Sequence, residues 1–149
     1  MAFYDEVHEG SKKFRLGTRV RDKAGNEFIY LQGVGSTLAN SWVTFDEAHV
    51  STLAVANAKG RVAIAGAAID STTKYGWYCI YGKFAGKALA AFADNGSVYL
   101  TATAGSVDDA DVAGDAVLGA WGRSALDTPS TGLAYFELNW PMVHDIAVD

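Results

Sequence analysis

Alternation with a period of two is the feature of this sequence that most restricts its fold. In a pleated strand successive side chains point to opposite faces, so alternating apolar and polar residues bury one face and solvate the other. Leu16, Thr18 and Val20 oppose Arg15, Arg19 and Arg21. Val98, Leu100, Ala102 and Ala104 oppose Ser97, Tyr99, Thr101 and Thr103, and near the end Phe136, Leu138 and Trp140 oppose Tyr135, Glu137 and Asn139. These segments read as half-buried antiparallel strands. Asp22-Lys23-Ala24-Gly25-Asn26 is expected to turn the first onto Glu27 to Leu31, Asp94-Asn95-Gly96 to make a tight hairpin, and Asp127 to Gly132 to form a third break.

Sixteen glycines against two prolines suit a sheet that bends at glycine and keeps its ladders. A helix is weakly supported. Asp46 to Lys59 contains good helix formers, but Val43, Val50, Thr52 and Val55 favour strand, and the segment is read as loop or strand. The fold class that follows is mainly β, a compact antiparallel β-barrel or β-sandwich. A chain of 149 residues fits one domain with a core of its own. Residues 1–13 lack a periodic apolar face and read as an N-terminal extended arm; residues 14–149 form the barrel-like body. Phe3 and Tyr4 are the arm's candidate anchors on a neighbouring subunit.

The charge is −5 overall but unevenly spread. Lys12, Lys13, Arg15, Arg19, Arg21 and Lys23 fall close together, whereas beyond residue 90 only Arg123 opposes nine acidic residues. The balance argues against nucleic acid as a partner, and the basic cluster reads either as a solvated strand face or as a docking patch for an unlike surface. No apolar run approaches the roughly 20 residues of a membrane helix, and the N-terminus lacks a leader pattern, which points to synthesis in the cytoplasm.

Catalytic patterns are scarce. Cys79 is the one cysteine and sits in the apolar run Tyr75 to Tyr81, where burial suppresses the thiolate. His8, His49 and His144 are far apart, and Glu47 with His49 is a weak candidate for metal or acid–base work. Gly33-Val34-Gly35-Ser36-Thr37 lacks the lysine of a phosphate loop, and Asp108, Asp109, Asp111 and Asp115 lack calcium-loop spacing. Trp42, Trp77, Trp121 and Trp140 are assigned to the core by default. The reading is of a protein that is not an enzyme and needs no cofactor and no metal.

Several segments carry a resemblance: Leu16-Gly17-Thr18 before Glu27 to Tyr30, Tyr75-Gly76-Trp77 entering an aromatic strand, then Val98 to Asp109 leading through Ala113-Gly114-Asp115 to Val117-Leu118-Gly119-Ala120. From about residue 14 to 141 the chain resembles the capsid decoration (cement, head-stabilising) proteins of tailed bacteriophages. The resemblance implies a structural protein on the virion exterior, with the major capsid protein as partner, self-association as a homo-oligomer such as a trimer, and no catalytic residues to transfer. Phe3, Tyr4, Lys12, Lys13, Arg15, Arg19 and Arg21 are the candidate capsid or subunit contacts. The alternatives are another virion component, such as a head-fibre base or connector, and a carbohydrate-binding β module.

Overall fold

The computed structural model describes residues 3–93, 95–123 and 132–144. It is mainly β: among the described residues a single-turn 3-10 segment, Phe3–Asp5, precedes eleven strands, and there is no α-helix. The strands are β1 (Val7–Glu9), β2 (Arg19–Arg21), β3 (Glu27–Gln32), β4 (Trp42–Phe45), β5 (Ser51–Leu53), β6 (Gly60–Ala65), β7 (Lys74–Lys87), β8 (Ser97–Leu100), β9 (Val107–Asp108), β10 (Ala116–Gly122) and β11 (Leu133–Val143). All belong to one sheet, ordered β2-β3-β7-β6-β11-β10-β8-β9, with β1 on β7 and the hairpin β4–β5 on β6. Every strand pair is antiparallel. The sheet is not closed, since β2 and β9 stand at its ends.

β7 is the spine. Its first half pairs with β1, β3 and β6, and its second half, from Tyr81 onward, pairs with β11 from Tyr81↔Asn139 to Lys87↔Leu133. Gly82 has φ of +104° and its Cα faces Asn26, whose side chain accepts from Lys83 N–H at 3.1 Å and donates to Lys83 C=O at 3.2 Å. A side chain there meets both a backbone conformation and a neighbour that exclude it, so the bend in β7 rests on glycine.

The central strands are buried on both faces, which explains their unbroken apolar runs. Phe28 and Tyr30 of β3 with Trp77 and Cys79 of β7 face a main core that also takes Trp42, Ile64, Phe92, Leu100, Phe136 and Leu138. The intervening Ile29, Leu31, Tyr78 and Ile80 face a second layer with Val43, Phe45, Ala63, Ala65 and Ile69. Because β8, β9, β10 and β11 contribute to the main core opposite β3 and β7, the sheet folds over on itself in a barrel- or sandwich-like manner.

Local expectations meet varied outcomes. The turn Asp22–Asn26 joins β2 to β3 as anticipated: Gly25 has φ of +88°, and the Asp22 carboxylate accepts from the Ala24 and Asn26 amides at 2.9 Å each. Residues 46–59 contain a turn, β5 and a loop. Asn95 does adopt φ of +61°, but β8 after it pairs with β9 and β10 rather than folding back on β7; Asp94 lies outside the described residues. The strand expected through Ala104 stops at Leu100, because the Thr101 hydroxyl donates to backbone carbonyls and accepts from Thr103 N–H, closing a turn of its own. The break at 127–131 lies outside the described residues.

Residues 3–9, anticipated as part of an extended arm, lie along the body. Phe3 packs edge-on against Phe28 and Trp77, with centroids at 5.1 and 5.6 Å. Tyr4 stacks on Phe28 at 5.1 Å and meets Phe84 edge-on at 5.1 Å. β1 then adds to β7 in the register Val7↔Gly76, His8↔Tyr75, Glu9↔Lys74. A 3-10 turn followed by a three-residue strand shows neither the helical nor the strand period, so its buried face left no pattern in the sequence.

Candidate functional site

The basic cluster divides into two environments. Lys12, Lys13 and Arg15 are exposed on the connection between β1 and β2. This connection is tied down: Lys13 N–H donates to the Tyr30 hydroxyl at 3.2 Å, that hydroxyl lies 2.7 Å from His8 Nδ1, and Phe14 packs against Tyr30 and Trp77. Arg19 and Arg21 stand on β2, the end strand of the sheet, with side chains 54% and 55% exposed. Both lean toward Glu27 on β3, Arg21 at 3.1 Å and Arg19 at 3.9 Å.

Glu27 links this edge to a feature that the alternation pattern misses. Trp140, expected to point inward with Phe136 and Leu138, is 39% exposed. Between Leu118↔Met142 and Ala120↔Leu138 the register of β10 and β11 shifts, leaving extra residues on β11 opposite Gly119. Trp140 has φ of +46° within this bulge, and Gly119, at φ of +81°, lies against the Asn139 carbonyl where no Cβ fits. The inserted residues turn the indole out of the core and across to Tyr81, ring centroids 4.8 Å apart, with Nε1–H donating to Glu27 Oε2 at 3.3 Å.

On one side of this tryptophan lies an open groove of about 690 Å³. Ile29, Phe45 and Ile80 of the second core layer floor it, and Arg19, Lys59 and Arg61 stand at its margin. On the other side lies a smaller hollow of about 510 Å³ above β7, β10 and β11. In it Arg21 caps the Tyr81 ring at 5.3 Å, and two of its lining residues, Lys83 and Trp121, reach side chains beyond it, Lys83 capping Tyr135 at 5.2 Å and Trp121 being capped by Arg123 at 5.3 Å. Arg123 Nε also donates to Glu137 at 2.8 Å, and Tyr135 is 53% exposed.

The residues considered for chemistry occupy structural posts. Cys79 is fully buried in β7, and burial pushes its thiol up to about 12. Tyr78, also fully buried, has its hydroxyl raised by desolvation. His49 lies against Gly17 and stacks near Phe45, and among the described residues no group of three His, Cys, Asp or Glu side chains converges as metal ligands. Asp115 is buried and accepts from Asn57 N–H at 2.8 Å, while Asp109 accepts from Ala93 N–H at 2.9 Å. Both carboxylates hold loops to the sheet. Trp42 and Trp77 are core residues, whereas Trp121 is half-buried and Trp140 half-exposed. No helix of the described residues is long and apolar enough to cross a membrane.

Comparison of the chain with protein-family models, with curated proteins and with solved structures gives no match.

Proposed function

We propose that this chain is a structural docking protein that binds the outer surface of an assembled tailed-phage capsid and stabilises it. The observation that carries the reading is the basic end of the sheet. β2 is a three-residue end strand whose Arg19 and Arg21 project into solvent, with exposed Lys12, Lys13 and Arg15 on the connection before it. An end strand offers unpaired backbone groups to a neighbour, and in a chain of charge −5 this end favours an acidic one. The resemblance of residues 14–141 to capsid decoration proteins supplies the partner, the major capsid protein. A capsid presents one site many times, so a self-associated docking protein gains avidity from modest contacts.

The test is cryo-electron microscopy of expanded empty capsids mixed with the purified protein. Density repeated at symmetry-related positions of the outer lattice is the expected result. Protein restricted to the portal vertex would move the assignment to a connector or fibre base, and its absence from the particle would overturn the reading. Binding is expected to weaken as salt rises, since exposed charges are screened over about 8 to 10 Å near physiological ionic strength.

A further inference from the structure

The three cation–aromatic pairs above β7, β10 and β11 share one outward sheet face. Lys83 lies directly across from Glu137, and Glu137 directly across from Trp121, so all three side chains point the same way. Tyr135 and Arg123 join them, Lys83 over the Tyr135 ring and Arg123 on both Trp121 and Glu137. Arg21 over Tyr81 and the re-aimed Trp140 extend the face to the edge at β2.

We propose that this face, centred on Tyr135, Lys83, Trp121 and Arg123, is the surface by which the chain docks onto an acidic protein surface. The inference rests on the docking reading above and assigns its contact face. Three observations favour it. Tyrosine, tryptophan and arginine are the side chains that dominate the energetics of protein interfaces, and here they adjoin one another. Charge favours an acidic partner: among the described residues Arg21, Lys83 and Arg123 meet only Glu27 and Glu137 on this face, both engaged by arginine, and Lys83 makes no ion pair. A chain of net −5 thus carries a locally cationic face. The cations are also held in place over the rings, which lowers the side-chain ordering that docking requires.

The same geometry weighs against stacking ligands. A sugar or a nucleobase needs a bare aromatic face, and at Tyr81, Tyr135 and Trp121 a cation already stands about 5 Å over the ring.

Tyr135→Ala and Lys83→Gln test the assignment, with Lys59→Gln in the groove beyond Trp140 as control and near-ultraviolet circular dichroism as the check on folding. Each face variant is expected to weaken binding to capsids assembled from the major capsid protein by about tenfold or more, the control leaving it unchanged. If the parent binds capsids and both face variants bind equally well, the face is wrong and the docking reading stands. If the parent does not bind capsids, that reading fails, and titration of poly-L-glutamate against tryptophan fluorescence judges the face alone. A response lost in both variants upholds the acidic-protein chemistry, and a flat response in the parent overturns it. Binding of a neutral oligosaccharide or of oligo-dT in place of poly-L-glutamate overturns it also. So does a change of oligomeric state in Tyr135→Ala with capsid binding intact, which would give the face to a second copy of the chain.

Discussion

Replacing Phe3 and Tyr4 together with alanine measures whether the N-terminal segment belongs to the body. Both rings are partly buried against the main core and share Phe28 as a partner. A fully buried aromatic removes about 150–250 Å² from water, so half-burial removes about 100 Å² for each. At ~25 cal/mol/Å² the pair contributes about 5 kcal/mol, which falls to about 4 when the compactness of real unfolded chains is discounted. Against a total stability of about 5–15 kcal/mol this is a large fraction. Urea unfolding followed by tryptophan fluorescence and by circular dichroism should show the midpoint lower by roughly 2 M at an m-value of about 2 kcal/mol/M. The melting temperature should fall by roughly 10 °C. Deleting residues 1–13 should cost more still, because it removes β1 and takes both His8 and the Lys13 amide from the hydroxyl of fully buried Tyr30. The single variants should be non-additive, as both rings touch Phe28. A double variant that loses less than about 1 kcal/mol by both probes would refute the reasoning and return the segment to the status of a detachable arm.

Three other perturbations probe particular contacts. Gly86→Ala places a Cβ 2.7 Å from Trp42 Nε1 and 3.1 Å from Ile64 Cδ1, both fully buried, and should destabilise by about 1–3 kcal/mol in the same urea assay; an unchanged midpoint would show slack in the core at Trp42. Trp140→Gly should be more stable than Trp140→Ala by about 1 kcal/mol, because glycine alone relieves the left-handed backbone at φ of +46°; the opposite order would show that the bulge carries no strain. Cys79 and Tyr78 both ionise less readily folded than unfolded, so the stability they contribute is complete below the unfolded thiol value of 9.0 and is lost as pH rises toward the folded value of about 12. Unfolding midpoints should therefore fall above pH 9, and Cys79→Ala should flatten part of that decline; an identical slope in the variant would assign the loss to other groups.

The β class, the Asp22–Asn26 hairpin and the inward Phe136 and Leu138 were legible because each rests on a local rule, either period-two alternation or turn chemistry. Trp140 was not, although it sits on the same alternation: a bulge opposite Gly119 resets the phase after Leu138, and nothing within β11 announces it. The same holds for the cation–aromatic face. Lys83, Trp121 and Tyr135 come from three strands distant in sequence, with Arg123 just past the end of β10, and only the pairings Lys83↔Glu137 and Trp121↔Glu137 bring them together. Of the residues singled out by charge, Arg19 and Arg21 reach a shared surface feature through Glu27, whereas Lys12, Lys13 and Arg15 are exposed beside it. Phe3 and Tyr4 show the reverse case, since their aromatic character marked them as anchors but their partners, Phe28, Trp77 and Phe84, lie within the same chain.

The long strand β7 also dictates an order of events during synthesis. β1, β2, β3, β4, β5 and β6 all precede it, so its first half can be paired as soon as residues 74–80 emerge. Its second half has to wait for β11, which leaves the ribosome seconds later at about 5–20 residues per second. Through that interval Phe84 and the main core lack the cover of Phe136 and Leu138, and residues 81–87 offer an open ladder to any other nascent copy. Crowded synthesis should thus favour copies that exchange β11, a hazard set by where in the chain the spine falls rather than by the stability of the finished sheet.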